Sequence, residues 1–190
     1  MFPLKVIERA EKYSHLMRFD RNSAVSYMND AMYEIAMRSS FEIEQEVTDY
    51  TGGVIQANNE LIRLVSITIE GSDDYDSSFG ARSDHKGRIS ITRDGVPLED
   101  NGIVIFSKVG IKYIGYPKID DVEDVEDDTE IDFPEKYETA IAFYIRSKML
   151  EEMDSIEKSL YFHSKYLEEM RLKVSPPNII IPEPSKYSLL

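Results

Sequence analysis

All nine glycines of this 190-residue chain lie between Gly52 and Gly115. Glycine marks β-turns, bulges and close backbone approaches and weakens helix interiors. The two flanks, free of it, are built for helices, and the middle is built for strands. Strands gathered between helical segments argue for an α+β fold and against alternating βαβ units.

Hydrophobic periodicity agrees. Leu4, Ile7 and Ala10 recur every three residues behind Pro3, which suits a first helical turn, so a helix is expected over 3–17. Val25, Met28, Met32 and Ile35 make the stripe of a second helix over 23–38, with Asn22 or Ser23 as its cap. From Phe41 the period becomes two: Phe41, Ile43 and Val47 against Glu42, Glu44 and Glu46, then Val65, Ile67 and Ile69 against Ser66, Thr68 and Glu70. Further strands are expected over 87–92, 103–106 and 111–116, with a long polar loop over 71–86.

Pro117 stops the last strand. Residues 120–132 then hold nine acids and no base, which leaves −5 of the net charge of −14 for the remainder. Like charges at this density repel one another, so an extended, solvated linker is expected over 118–132. Pro134 opens a helix to about residue 150 with Tyr137, Ala140, Ile141 and Tyr144 as its stripe. A further helix over 154–173 spaces Ile156, Leu160, His163, Leu167 and Met170 by fours and threes, as helix–helix packing requires. The expected organisation is therefore a helical bundle of two N-terminal helices (1–40) and two C-terminal helices (133–174), with an antiparallel β module (41–117) inserted between them. After Ser175, Pro176 and Pro177 comes an extended arm over 175–190. Its Ile179, Ile180, Ile181, Tyr187, Leu189 and Leu190 suit a partner's groove or sheet edge, while Pro182 and Pro184 forbid a helix.

Chemistry is sparse. Without cysteine there is no disulfide, thiolate metal site or cysteine nucleophile, which fits a cytosolic life. His15, His85 and His163 stand in separate segments with no metal-ligand spacing, and the acid run lacks the central glycine and the ordered Asp/Asn alternation of a calcium loop. No phosphate loop, dinucleotide fingerprint, nucleophile elbow or zinc-protease motif is present, so neither enzyme activity, nor a cofactor, nor a metal site is expected. No stretch approaches the ~20 apolar residues of a membrane span, and residues 1–5 show no signal-peptide core. An acidic chain without a basic stripe is a poor sequence-specific DNA binder, though passive contact with DNA remains open to it. Tyr137, Tyr144, Tyr161 and Tyr166 crowd the last two helices; they read equally as core packing or as a subunit interface.

Two segments carry a family resemblance. A strand with Tyr113 ends at Tyr116 and Pro117; after the acidic gap, Asp132, Phe133 and Pro134 start a helix whose Tyr137, Ala140, Ile141, Tyr144 and Ile145 follow at fixed offsets. Upstream, Met28, Asn29, Asp30 and Ala31 form an apolar–Asn–acid–Ala step within the second helix. These features resemble the head–tail connector (adaptor) proteins of tailed bacteriophages, as does the order of helices, β insertion and helices. The resemblance implies a structural virion protein made in the host cytoplasm and built into the neck. There it forms a homo-oligomeric ring, expected to be dodecameric, that docks on the portal protein, extends the DNA channel and offers a platform to tail or neck proteins. The arm residues would bind the portal or a neighbouring subunit. The alternatives are a tail-completion or terminator ring and a phage-encoded acidic protein-binding module.

Overall fold

The computed structural model describes residues 1–12, 20–39, 41–51, 54–70, 79–84, 87–93, 96–97, 105–120, 122–126 and 130–173. Helix α1 spans Pro3–Lys12 and α2 spans Arg21–Ser39. Val25, Met28, Met32 and Ile35 are all buried, as their spacing requires. The start of α2 corrects the expected cap. Asp20, ahead of Asn22 and Ser23, accepts the Ser23 N–H at 2.8 Å through its carboxylate and the Ala24 N–H at 3.0 Å through its carbonyl.

Among the described residues, seven strands form two antiparallel sheets. Strands β1 (Glu42–Thr51), β7 (Ile105–Tyr116) and β3 (Glu60–Glu70) make the first, in that order with β7 central. The second sheet runs β2 (Val54–Gln56), β5 (Arg88–Arg93), β4 (Phe79–Ser83), with β6 (Val96–Pro97) also paired to β5. Two expectations change here. The strands expected to be separate near 103–106 and 111–116 are, from Ile105 onward, parts of the single β7, while residues 103 and 104 lie outside the described residues. Gly110 does not turn the chain: it sits opposite Glu46 on one side and Thr68 on the other. In β3, register shifts between Leu61 and Arg63 and between Leu64 and Ser66 break the alternation. Leu64, Ile67 and Ile69 therefore pack inward, and Val65 is left exposed.

The acid run is no free linker. Ile119 is bonded both ways to the Asn29 side chain, whose Nδ2 donates to the Ile119 carbonyl at 2.8 Å while its Oδ1 accepts the Ile119 N–H at 3.0 Å. A helical turn α3, Glu123–Glu126, follows, with Val125 buried and Val122 packed on the helices. At the far end the Ile131 N–H donates to the Met1 carbonyl at 2.9 Å, and the Met1 amine donates to the Ile131 carbonyl at 3.0 Å. Apolar residues set among the acids fasten the segment to the body, and Asp120, Glu123 and Glu130 face water.

After a single 3₁₀ turn at Glu135–Tyr137 come α4 (Glu138–Glu152) and α5 (Ile156–Lys173). Helix α4 packs against α1, α2 and α5 and is accordingly buried on several sides: Ala140, Ile141, Ala142, Ile145, Arg146, Ser147 and Met149 are all covered. The chain reverses tightly between α4 and α5. Asp154 adopts φ 54°, the Ser155 N–H reaches back to the Leu150 carbonyl at 2.9 Å, and the Asp154 N–H reaches the Glu151 carbonyl at 3.1 Å. This is a helix C-cap in which glycine is the residue usually found. Asp154→Gly should relieve the left-handed conformation and raise stability by up to about 1 kcal/mol, read as a higher urea midpoint; a lower midpoint would mean that the aspartate side chain holds the turn.

Two hydrophobic cores result. The helical core gathers α1, α2, α4, α5 and the buried residues of the acid run; the sheet core lies between the two sheets around Ile89, Ile91, Val109, Ile111 and Tyr113. Strand β7 belongs to both. Val109, Ile111 and Tyr113 point into the sheet core, while Ile114 and Tyr116 on its other face enter the helical core. The architecture is α+β, with helices before and after a β insertion.

Candidate interaction surface

Helix α5 carries more apolar surface than the fold uses. The expected stripe of Ile156, Leu160, His163, Leu167 and Met170 is not the buried face. Of that stripe only Met170 is buried, and it is joined by Ser159 and Tyr166, because Ser159 and Ser147 are small enough to meet between α5 and α4, with their hydroxyls 3.3 Å apart. This rotates the longer stripe onto one shoulder of α5. Leu167 remains half-buried there, but Ile156 is 52% exposed and Leu160 63%. Together with Ser147, Lys148, Ser159 and His163 they border an open groove of about 200 Å³.

The four tyrosines separate. Tyr137 is buried, tilted 6.0 Å from Phe133. Tyr166 is buried and donates its hydroxyl to Glu34 at 2.7 Å. Tyr144 packs edge-on against Tyr166, with ring centroids 5.1 Å apart. Only Tyr161, 56% exposed, is open to a partner. Three of the four thus serve the subunit's own core. The arm residues Ile179, Ile180, Ile181, Tyr187, Leu189 and Leu190, and His15 and His85 with them, lie outside the described residues.

Tyrosines set beside carboxylates have a consequence for pH. The Tyr27 hydroxyl, bonded to Glu152 at 2.5 Å, is pushed up to about 12 by that bond and by burial. Burial and the carboxylates of Asp30, Glu34 and Glu151 push Tyr144 up to about 12, and burial and Glu34 push Tyr166 up further. The raised group is neutral when protonated, so its stabilisation is complete below the ordinary value of 10.0 and is lost as pH rises toward 12. A urea midpoint that is level near neutrality and falls across that window is expected, with a smaller fall in the double variant Tyr27→Phe, Tyr144→Phe. An equal fall in that variant would assign the effect elsewhere.

The first sheet has a charged outer face where it extends past the helices. Lys112 lies 2.7 Å from Glu44 and 3.5 Å from Glu42, and Lys108 lies 2.8 Å from Glu46. The Glu44 bond, then the charges of Glu44 and Glu42, raise the Lys112 pKa. Gly110, between the two lysines, leaves a polar groove of about 330 Å³. Exposed pairs of this kind contribute little to stability and form no catalytic constellation. Among the described residues no group of three or more His, Asp or Glu is placed to hold a metal ion, and no helix is long and apolar enough to cross a membrane.

The residues that carry the family resemblance have structural work to do. Tyr137, at the cap of α4, and Ala140, Ile141 and Ile145 within it are all buried. Asn29 is the amide that ties α2 to Ile119, a use to which its paired donor and acceptor are suited. A scan against models of known protein families and a search of curated proteins each return no match.

Proposed function

We propose that this chain is a structural subunit of a tailed-phage neck: a head–tail connector that assembles into a ring, expected to hold twelve copies, beneath the portal. It extends the DNA channel there and presents a platform to the tail. One observation carries the reading. The two segments that resemble connectors, around Asn29 and from Pro134 to Ile145, are distant in sequence yet serve one helical core, with the acid strap between β7 and α4 stitched to α2 by Asn29 itself. The exposed shoulder of α5 supports an assembling subunit, since a contiguous apolar surface beyond a filled core marks an interaction site. The outward acids of the strap support a passive relation to DNA, which a negative wall repels and lets slide.

Symmetry-resolved cryo-EM of purified virions tests this. The expected result is a twelvefold ring of this chain between portal and tail. A sixfold ring at the tail's upper end would replace the connector with a tail-completion protein. Absence from virions, with a host protein recovered on the purified chain, would replace it with a binding module.

A further inference from the structure

The strap between β7 and α4 is lightly held for the charge it carries. Residues 120–132 contain nine acids and no base, and they leave the remainder of the chain at −5, so the strap is repelled by itself and by the body. Its exposed Glu123 and Asp132 have no ion-pair partner among the described residues. Asp120 pairs with Lys118 at 3.2 Å and Glu130 with the Met1 amine at 3.5 Å, and both carboxylates stay exposed. The bases of α1 do little to offset this, since Arg9 pairs with Glu138 at 3.5 Å and Lys5 lies 3.9 Å over the Phe2 ring. What holds the strap is the Asn29 clasp on Ile119 at one end, the paired bonds of Ile131 with Met1 at the other, and Val122 and Val125 between them. A groove of about 330 Å³ bordered by Val25, Ser26, Ile119 and Val122 brings water up to the clasp.

We propose that the strap is a charge-operated latch, which opens as a unit ahead of the rest of the fold when salt is low and closes on Asn29 and Met1 when its carboxylates are screened. The opposing forces differ in their response to salt. Repulsion between exposed charges reaches ~30 Å at 0.01 M salt and only ~3 Å at 1 M. The hydrogen bonds and apolar contacts that close the strap act at short range and hold at either concentration. Opening withdraws Ile119, Val122 and Val125 from the helical core and frees the α2 surface around Val25, Ser26 and Asn29. The rest of the fold does not need the latch closed. Strand β7 keeps its ladders to β1 and β3, and α4 keeps its packing on α1, α2 and α5. Segments held by few contacts open locally at far lower cost than the whole domain unfolds.

Amide hydrogen exchange reads the latch directly. Three strap amides are hydrogen-bonded in the closed form: Ile119 to the Asn29 side chain, Val125 to the Val122 carbonyl and Ile131 to the Met1 carbonyl. When sodium chloride is lowered from about 1 M to about 0.01 M, exchange at all three should quicken together, on the order of 10-fold more than at Ile145 and Met149 of α4. Asn29→Ala, which removes the clasp, should quicken the same three far more than it quickens α4. The salt series on the parent chain stands by itself if that variant folds poorly. Strap amides that exchange in step with α4 at both salt concentrations would show that the segment opens only with global unfolding, and would overturn the latch. Faster exchange in high salt would overturn it as well, because the strap would then be held by attraction to the bases of α1. A change confined to one of the three amides would mean fraying from one end, and the strap would not be a unit.

Discussion

Gly115→Val should lower the urea midpoint far below that of the parent chain. Gly115 is buried in the central strand, opposite Leu61. A Cβ there would lie 2.5 Å from the Glu60 carbonyl oxygen and 2.9 Å from the Tyr113 ring. The first neighbour is backbone, and it adjoins the register shift between Leu61 and Arg63, so neither strand can yield without losing ladder bonds. Overpacking typically costs about 1–3 kcal/mol and more where backbone must move, against a total stability of about 5–15 kcal/mol. Gly110 is the internal control. A Cβ there meets Thr68 at 3.7 Å, an ordinary contact, so Gly110→Ala should be neutral within about 0.5 kcal/mol. Urea midpoints decide it, and a Gly115→Val chain that melted with the parent would mean that β3 is free to shift.

Arg146→Ala is the second large effect, with an expected loss of about 2–4 kcal/mol. Arg146 is 5% exposed, donates from Nη1 to the Ala10 carbonyl at 3.0 Å and lies 4.7 Å above the Phe162 ring. It caps the negative end of α1 and joins it to α4 and α5. Among the described residues no carboxylate pairs with it and its Nε has no partner, and burial pulls its pKa down from the usual arginine value. A buried charge held only by a carbonyl and a ring carries a desolvation penalty that a well-packed apolar side chain does not. Arg146→Met, which keeps most of the volume and sheds that penalty, should therefore cost less than half of what alanine costs. If methionine proved as damaging as alanine, the bond to Ala10, and not the filled volume, would be what matters at this position.

The contrast between α2 and α5 shows what sequence periodicity can and cannot establish. In α2 one apolar stripe exists, and it is the buried one. In α5 two stripes compete, and the regular one lost because two serines, Ser147 and Ser159, let the helices close on the other side. A serine in a helix reads as a surface residue until its counterpart on the facing helix is known, so pairing information was the missing ingredient. Leu61 to Ser66 poses the same problem in a strand, where an irregularity invisible in composition turns Val65 outward. The acid run misleads differently. Nine carboxylates dominate its chemistry, yet Ile119, Val122, Val125 and Ile131 decide where it goes, with Asn29 as the clasp. The candidate surface was legible only as the tyrosines that crowd the last two helices and the regular stripe of α5; which of these side chains stay exposed required the packed bundle.

Strand β7 has a mechanical consequence. Because Val109, Ile111 and Tyr113 are keyed into the sheet core and Ile114 and Tyr116, further along the same strand, into the helical core, the β module and the helices are joined by a continuous, doubly laddered rod and not by a hinge. A load applied along β7 meets the ladder bonds of β1 and β3 in shear, many at once, and is not free to peel them singly. The two halves should consequently tilt as one lever and melt in one transition.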